Sequence, residues 1–177
     1  SINNLPKAKL RFQKYLDIIG DNKTDFLRFE TEKHFLESQY TSRELFDIFN
    51  IDIKSEVATT TQLQAGVMFF KKNNTNINFF QDYKKVLNSD LNLITDFYIE
   101  KQHETFIENR HDQSIFSLLG KIYNSHILDN ETEFRKRKEM QYDFPILTVR
   151  ASNHGPKDKL KLTLLKSLYG KKTRYFT

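Results

Sequence analysis

Between Phe106 and Asn124 the sequence reads FIENRHDQSIFSLLGKIYN, four polar side chains set directly before a helical pattern. Ile115, Phe116, Leu118, Leu119, Ile122 and Tyr123 recur at the spacing of one apolar helix face, so burying that face fixes the helix in place. Asp112 suits the N-cap, because its carboxylate accepts from the free backbone N–H groups of a first turn. A helix pinned in this way holds Arg110, His111, Asp112 and Gln113 rigidly at its positive end, as expected at the edge of a pocket. The same spacing also fits a plain capped helix with Arg110 and His111 in solvent, and spacing alone leaves both readings open.

The remaining segments alternate loosely between helix and strand, which makes α/β the class. LPKAKLRFQKYLDIIG reads as a helix with Pro6 in its first turn, Gly20 at its stop and a stripe of Leu5, Ala8, Phe12, Tyr15, Leu16 and Ile19. FLRFET from Phe26 to Thr31 alternates apolar with polar, as a strand does. Thr41-Ser42-Arg43-Glu44 has capping-box spacing and opens a short helix through Leu45, Phe46 and Phe49, followed by a polar loop from Asp52 to Thr61. The apolar run ending Gln64 to Lys72 predicts a buried strand, with Ala65-Gly66 permitting close approach of a backbone or ligand.

Asn74 to Asn88 reads as a helix capped by Asn74 or Thr75, with Ile77, Phe80, Val86 and Leu87 inward. Asp90 to Glu108 is a long connection of weak periodicity, of the length that often carries function. His126-Ile127-Leu128 and Phe144 to Val149 are strand candidates. An exposed loop is expected from Glu131 to Tyr142, and Lys157 to Tyr169 suits a terminal helix with a leucine face.

At 177 residues the chain has the length of one domain with a real core, rich in its 16 Phe. The absence of Cys excludes a disulfide framework and thiolate metal sites. No apolar run approaches the ~18–20 residues of a membrane span, and the opening SINNLPKAKL lacks a signal-peptide pattern, so a cytoplasmic location is expected. The net charge of +5 is uneven: Arg135 to Thr177 holds 12 Lys/Arg against 3 Asp/Glu, and the rest holds 16 against 20. A main domain over 1–156 and a basic amphipathic tail over 157–177 follow. The tail suggests a peripheral contact with an anionic membrane at its inner face. It also supports the alternative of a non-catalytic basic module for nucleic acid or an anionic surface. No helix-turn-helix or zinc spacing accompanies it, so nucleic acid is not the expected partner.

Two of these segments together resemble a known family. Gln64-Ala65-Gly66-Val67-Met68-Phe69 resembles the Asn-Ala-Gly-Val-Leu strand of retaining nucleotide-sugar glycosyltransferases with a GT-A fold. Arg110-His111-Asp112-Gln113-Ser114-Ile115-Phe116 resembles that group's later Asp-Gln-Asp-x-x-Asn stretch, and the order and spacing of the two agree. From about Lys9 to Asn153 the pattern is similar to bacterial glycosyltransferase-like proteins of surface-polysaccharide loci.

The resemblance implies a mixed sheet flanked by helices, the later portion of that fold. It also implies transfer of a sugar from a nucleotide-sugar donor to a saccharide or lipid-linked acceptor, with a divalent metal (Mn or Mg). Gln64, Ala65 and Gly66 would line the sugar end of the donor site. Asp112 would hold sugar hydroxyls, and Gln113 would sit beneath the anomeric carbon. Arg110 would offset diphosphate charge, and His111 would meet an acceptor hydroxyl or a sugar. Ser114 stands where the family has its second acid, and the family's upstream Asp-rich metal motif has no counterpart before Ser1. His154 is a loose match to its late metal-binding His, so the metal's ligands cannot be assembled from this sequence. His34, His103 and His126 lack ligand spacing and read as structural or solvated.

Overall fold

The computed structural model describes residues 5–21, 24–132 and 143–148. Two compact units divide the chain, one of Tyr15–Asn130 and one drawn from the residues on either side of it. The predicted 131–142 loop beyond Thr132, the turn at 153–156 and the whole basic tail with its predicted helix lie outside the described residues.

In the smaller unit, the first turns of α1 (Pro6–Gly20) bury Ala8. Arg11 Nε donates to Glu131 Oε2 at 2.9 Å, and Lys7 pairs with Asp143 at 3.4 Å. Of the strand predicted over Phe144 to Val149, Ile146 and Thr148 are bridging positions, with Thr148 N donating to Thr132 O, and Val149 lies outside the described residues.

The larger unit is built on a three-stranded mixed sheet in the order β2-β1-β3, formed by β1 (Phe26–Phe29), β2 (Phe69–Phe70) and β3 (His126–Leu128). Phe26 and Leu27 face Phe70 and Phe69 antiparallel, while Leu27, Arg28 and Phe29 run parallel to His126, Ile127 and Leu128. Single antiparallel bridges, Glu30 with Leu63 and Leu36 with Thr61, extend the pairing of the 61–64 segment.

Around the sheet lie α2 (Glu37–Tyr40), α3 (Arg43–Ile48), α4 (Glu56–Thr59), α5 (Asn74–Ser89) and α6 (Asp112–Ile122). Phe26, Leu45, Phe46, Ala58, Phe79, Val86, Leu93, Ile115, Leu118 and Leu119 form its core. Phe26 and Phe79 meet at 5.0 Å between ring centroids, and Tyr83 stacks on Phe116 at 4.1 Å. Burying that much aromatic surface is the main force holding the helices to the sheet.

Several local expectations are corrected. β1 does not alternate: all four residues are buried, including Arg28. The strand expected after Gln64 is short and at the sheet edge, with Phe70 exposed, because only Phe69 and Phe70 find ladder partners. α5 is capped by Asn73, whose side chain accepts from Asn76 N; Val86 is buried and Leu87 packs on the core as expected, but Phe79 is buried while Ile77 and Phe80 are exposed. The capping box at α3 does not close. Ser42 is the N-cap without a side-chain bond, and Glu44 turns away to the 99–102 loop. The 52–61 loop carries α4, capped by Ser55. Of the stripe expected on α1, Ala8, Tyr15 and Ile19 are buried, whereas Phe12, Leu16 and Leu5 just before the helix are exposed.

Candidate functional site

α6 lies where its sequence pattern puts it, with Ile115, Leu118 and Leu119 in the core. Its cap differs from expectation. His111, not Asp112, is the N-cap residue, at φ 55° and ψ −123°, and Asp112 is the first helical residue. A side chain at positive φ costs of order 1–3 kcal/mol, and such costs concentrate where a turn must aim particular groups. The work of closing this turn falls to Ser114, whose Oγ accepts from Arg110 N at 3.0 Å and donates to Tyr40 O at 2.7 Å.

The structure links α6 and its entry turn to the Gln62–Gln64 segment through several hydrogen bonds. Gln113 Nε2 donates to Gln62 Oε1 at 3.1 Å. Arg28, fully buried in β1, donates from Nη2 to Gln64 O and from Nη1 to Phe116 O, both at 2.8 Å. Burial pulls the Arg28 guanidinium down to about 10, with the charge of Glu37 opposing the shift. Gly120 makes this possible, since a Cβ there would stand 2.8 Å from Arg28 Nη1 and 2.9 Å from Leu63 Cδ1.

Behind the junction lies a polar seam. Glu37 is buried and accepts from Ser117 Oγ and from Thr41 Oγ1, and Lys121 Nζ pairs with it at 3.0 Å. Ser117 Oγ accepts from Leu63 N at 2.6 Å. Lys121 also donates to Val57 O and Thr60 Oγ1; burial lowers its pKa, against the pull of Glu37. Thus the carboxylate and ammonium are paired and hydrogen-bonded, as a buried charge requires.

The predicted site residues fall as follows. Gln64 is buried, its Nε2 donating to Glu30 O at 2.7 Å and to Asn130 Oδ1 at 2.9 Å. Ala65 is half-buried and Gly66 exposed, with open space where its Cβ would be, so close packing does not explain this glycine. Arg110 is half-buried, its guanidinium 3.7 Å over the Phe35 ring and 4.9 Å from that of Tyr40, with Glu108 at 3.7 Å. An aromatic cradle of this kind holds a guanidinium by cation–π attraction without consuming its hydrogens. His111 Nε2 lies 3.1 Å from Asp96 Oδ1. Asp112 is exposed and makes no hydrogen bond or ion pair among the described residues; behind burial, its charge is a second cause of the raised Tyr83 pKa. Gln113 is half-buried.

Gln62, which has no signal in the sequence beyond polar residues flanking Leu63, is the residue that joins the two segments. Two cavities lie elsewhere. One of about 360 Å³ is lined by Thr41, Arg43, Phe46, Asp52, Lys101 and His103 among others; one of about 390 Å³ includes Asp21, Thr24 and His126. Neither includes residues 64–66 or 110–113.

Among the described residues no group of three or more His, Asp or Glu could hold a metal ion, and His154 lies outside them. The divalent metal implied by the resemblance therefore finds no fit in the residues described. No helix of the described residues is long and apolar enough to cross a membrane. No family model, characterised protein or solved structure matches the chain.

Proposed function

We propose that this chain is a GT-A-type glycosyltransferase domain that moves a sugar from a nucleotide-sugar donor to a saccharide or lipid-linked acceptor in bacterial surface-polysaccharide synthesis, at the cytoplasmic face of the membrane. The observation that carries the reading is the bridging of Gln64 O and Phe116 O by the Arg28 side chain, beside the bond from Gln113 to Gln62. Arg28 thus joins one residue of each stretch that resembles the family, and Gln113 reaches Gln62, two residues before the first stretch, although about fifty residues separate the bonded partners in sequence. Their outward members, Gly66 and Asp112, are exposed and unencumbered, as groups that meet a ligand need to be.

In this reading Gln64, Ala65 and Gly66 line the sugar end of the donor site. Asp112 accepts hydrogen bonds from sugar hydroxyls, and Gln113 stands beneath the anomeric carbon. Glycosyl transfer builds positive charge on that carbon, and a fixed oxygen aimed at it stabilises the transition state more than the ground state. Arg110, held over Phe35, offers its fork to the leaving diphosphate. His111 meets the acceptor or a sugar hydroxyl.

The test is transfer from a panel of nucleotide sugars with manganese present, comparing wild type with Asp112→Asn. Loss of transfer with an unchanged melting temperature is expected. Normal transfer by the variant, or no binding of any nucleotide sugar by wild type in calorimetry, overturns the reading.

A further inference from the structure

Gln62 is fully buried, and all of its side-chain polar atoms are used. Its Nε2 lies 2.8 Å from Tyr40 O, 3.0 Å from Thr41 Oγ1 and 3.3 Å from Ser114 Oγ. Each of these neighbours can only accept. The Tyr40 carbonyl has no hydrogen, Thr41 gives its hydroxyl hydrogen to Glu37 Oε2 at 2.8 Å, and Ser114 gives its own to Tyr40 O. A flipped amide would set Oε1 against three oxygens, so the count of hydrogens decides its orientation.

Gln62 Oε1 therefore faces Gln113, which answers with Nε2. A carboxamide whose NH2 group is held keeps its carbonyl oxygen for whatever lies on its other side. Gln113 Oε1 has no donor among the described residues.

We propose that Gln62 is a positioning residue for Gln113, holding its amide so that the carbonyl oxygen, and not the NH2, is presented to the sugar donor. The role of that oxygen rests on the transferase reading; the orientation itself does not. An oxygen dipole favours the positive charge that develops at an anomeric carbon, and an NH2 in its place opposes it. Glu37, tethered by Lys121, is the buried far end of the series, since it takes the Thr41 hydrogen and so keeps Thr41 an acceptor.

The experiment has two readouts. The first is hydrogen exchange of side-chain amides by ¹⁵N NMR on the whole chain, with the Gln113 signals assigned by their loss in Gln113→Ala. In wild type one Gln113 Nε2 proton is expected to exchange about fivefold more slowly than the other, the factor for a net hydrogen bond of ordinary strength. In Gln62→Met, of similar volume but with no amide, that difference disappears. Equal and fast exchange of both protons in wild type overturns the proposal, whether or not the variant folds.

The second readout is steady-state transfer from UDP-, GDP- and dTDP-hexoses. Gln62→Met is expected to lower kcat about tenfold, with donor KM changed less than about twofold, because a group acting only in the transition state is lost. A rise in KM at constant kcat refutes the positioning role. Absence of turnover in wild type sinks the transferase reading instead, and the exchange measurement then decides the orientation alone.

Discussion

Arg28 lies against the bare Cα of Gly120: the guanidinium passes where any other residue would carry a Cβ, 2.8 Å from Nη1. Two carbonyls, Gln64 O and Phe116 O, hold the guanidinium there, so it has little freedom to withdraw. Replacing Gly120 by Ala adds a methyl group to a filled space. A loss of about 1–3 kcal/mol is expected, the usual cost of overpacking. Urea denaturation measures it; a variant as stable as wild type would mean that the Arg28 bridge is slack.

Lys121 and Glu37 form a buried pair. Lys121→Met removes the ammonium and leaves the carboxylate buried with only hydroxyl donors beside it. The expected cost is about 3–5 kcal/mol. Adding Glu37→Gln to that variant should recover a substantial part of the loss, because the uncompensated charge is gone. Thermal melts of the single and double variants check this, and equal stability of the two would show that the charge is otherwise compensated.

Glu44 carries a pH-dependent contact. Burial pushes its carboxyl up, but bonds from Glu100 N, from its own backbone N–H, from Gln102 Nε2 and from Ile99 N together outweigh burial and hold it below the ordinary 4.5. A depressed folded value means that the contact stabilises the 99–102 loop above the ordinary glutamate range and is lost as pH falls through the folded value. Amide exchange at Ile99 and Glu100, followed from pH 7 to pH 3 and corrected for intrinsic rates, should accelerate at the acid end. In Glu44→Gln that acid step should vanish; its persistence would assign it to another group.

Asn73 caps α5 by accepting from Asn76 N at 3.0 Å. Asn73→Ala is expected to cost about 1 kcal/mol, the usual worth of such a cap. The shift in denaturation midpoint reads it directly, and no shift would mean that water replaces the cap fully.

The long helices were legible in the sequence because their apolar spacing is sustained. α1 starts one residue after its predicted first residue, α5 runs one residue past its predicted end, and α6 takes Asp112, the expected cap, as its first residue and stops one short of Tyr123. What escaped was decided by partners far away in the chain. Arg28 in an apolar strand reads as the outward residue of an alternating pattern, and only the carbonyls of Gln64 and Phe116 make it an inward one. Glu44 has the spacing of a capping residue, yet the 99–102 loop offers it two backbone N–H groups and the Gln102 side-chain amide instead. At the candidate site the sequence pointed to both segments but not to Gln62 between them. A lone glutamine in a polar stretch gives no warning that its amide will be wholly enclosed.

The ladder that carries Arg28 closes late. Its parallel partner, Leu27 with His126, joins positions roughly a hundred residues apart, and such distant pairings are slow to form. A ribosome must therefore have delivered nearly all of Tyr15–Asn130 before β1 gains its second neighbour. Until then Arg28 and Glu37 wait as hydrated ions, and a nascent chain halted short of β3 would be a ready substrate for chaperones and proteases.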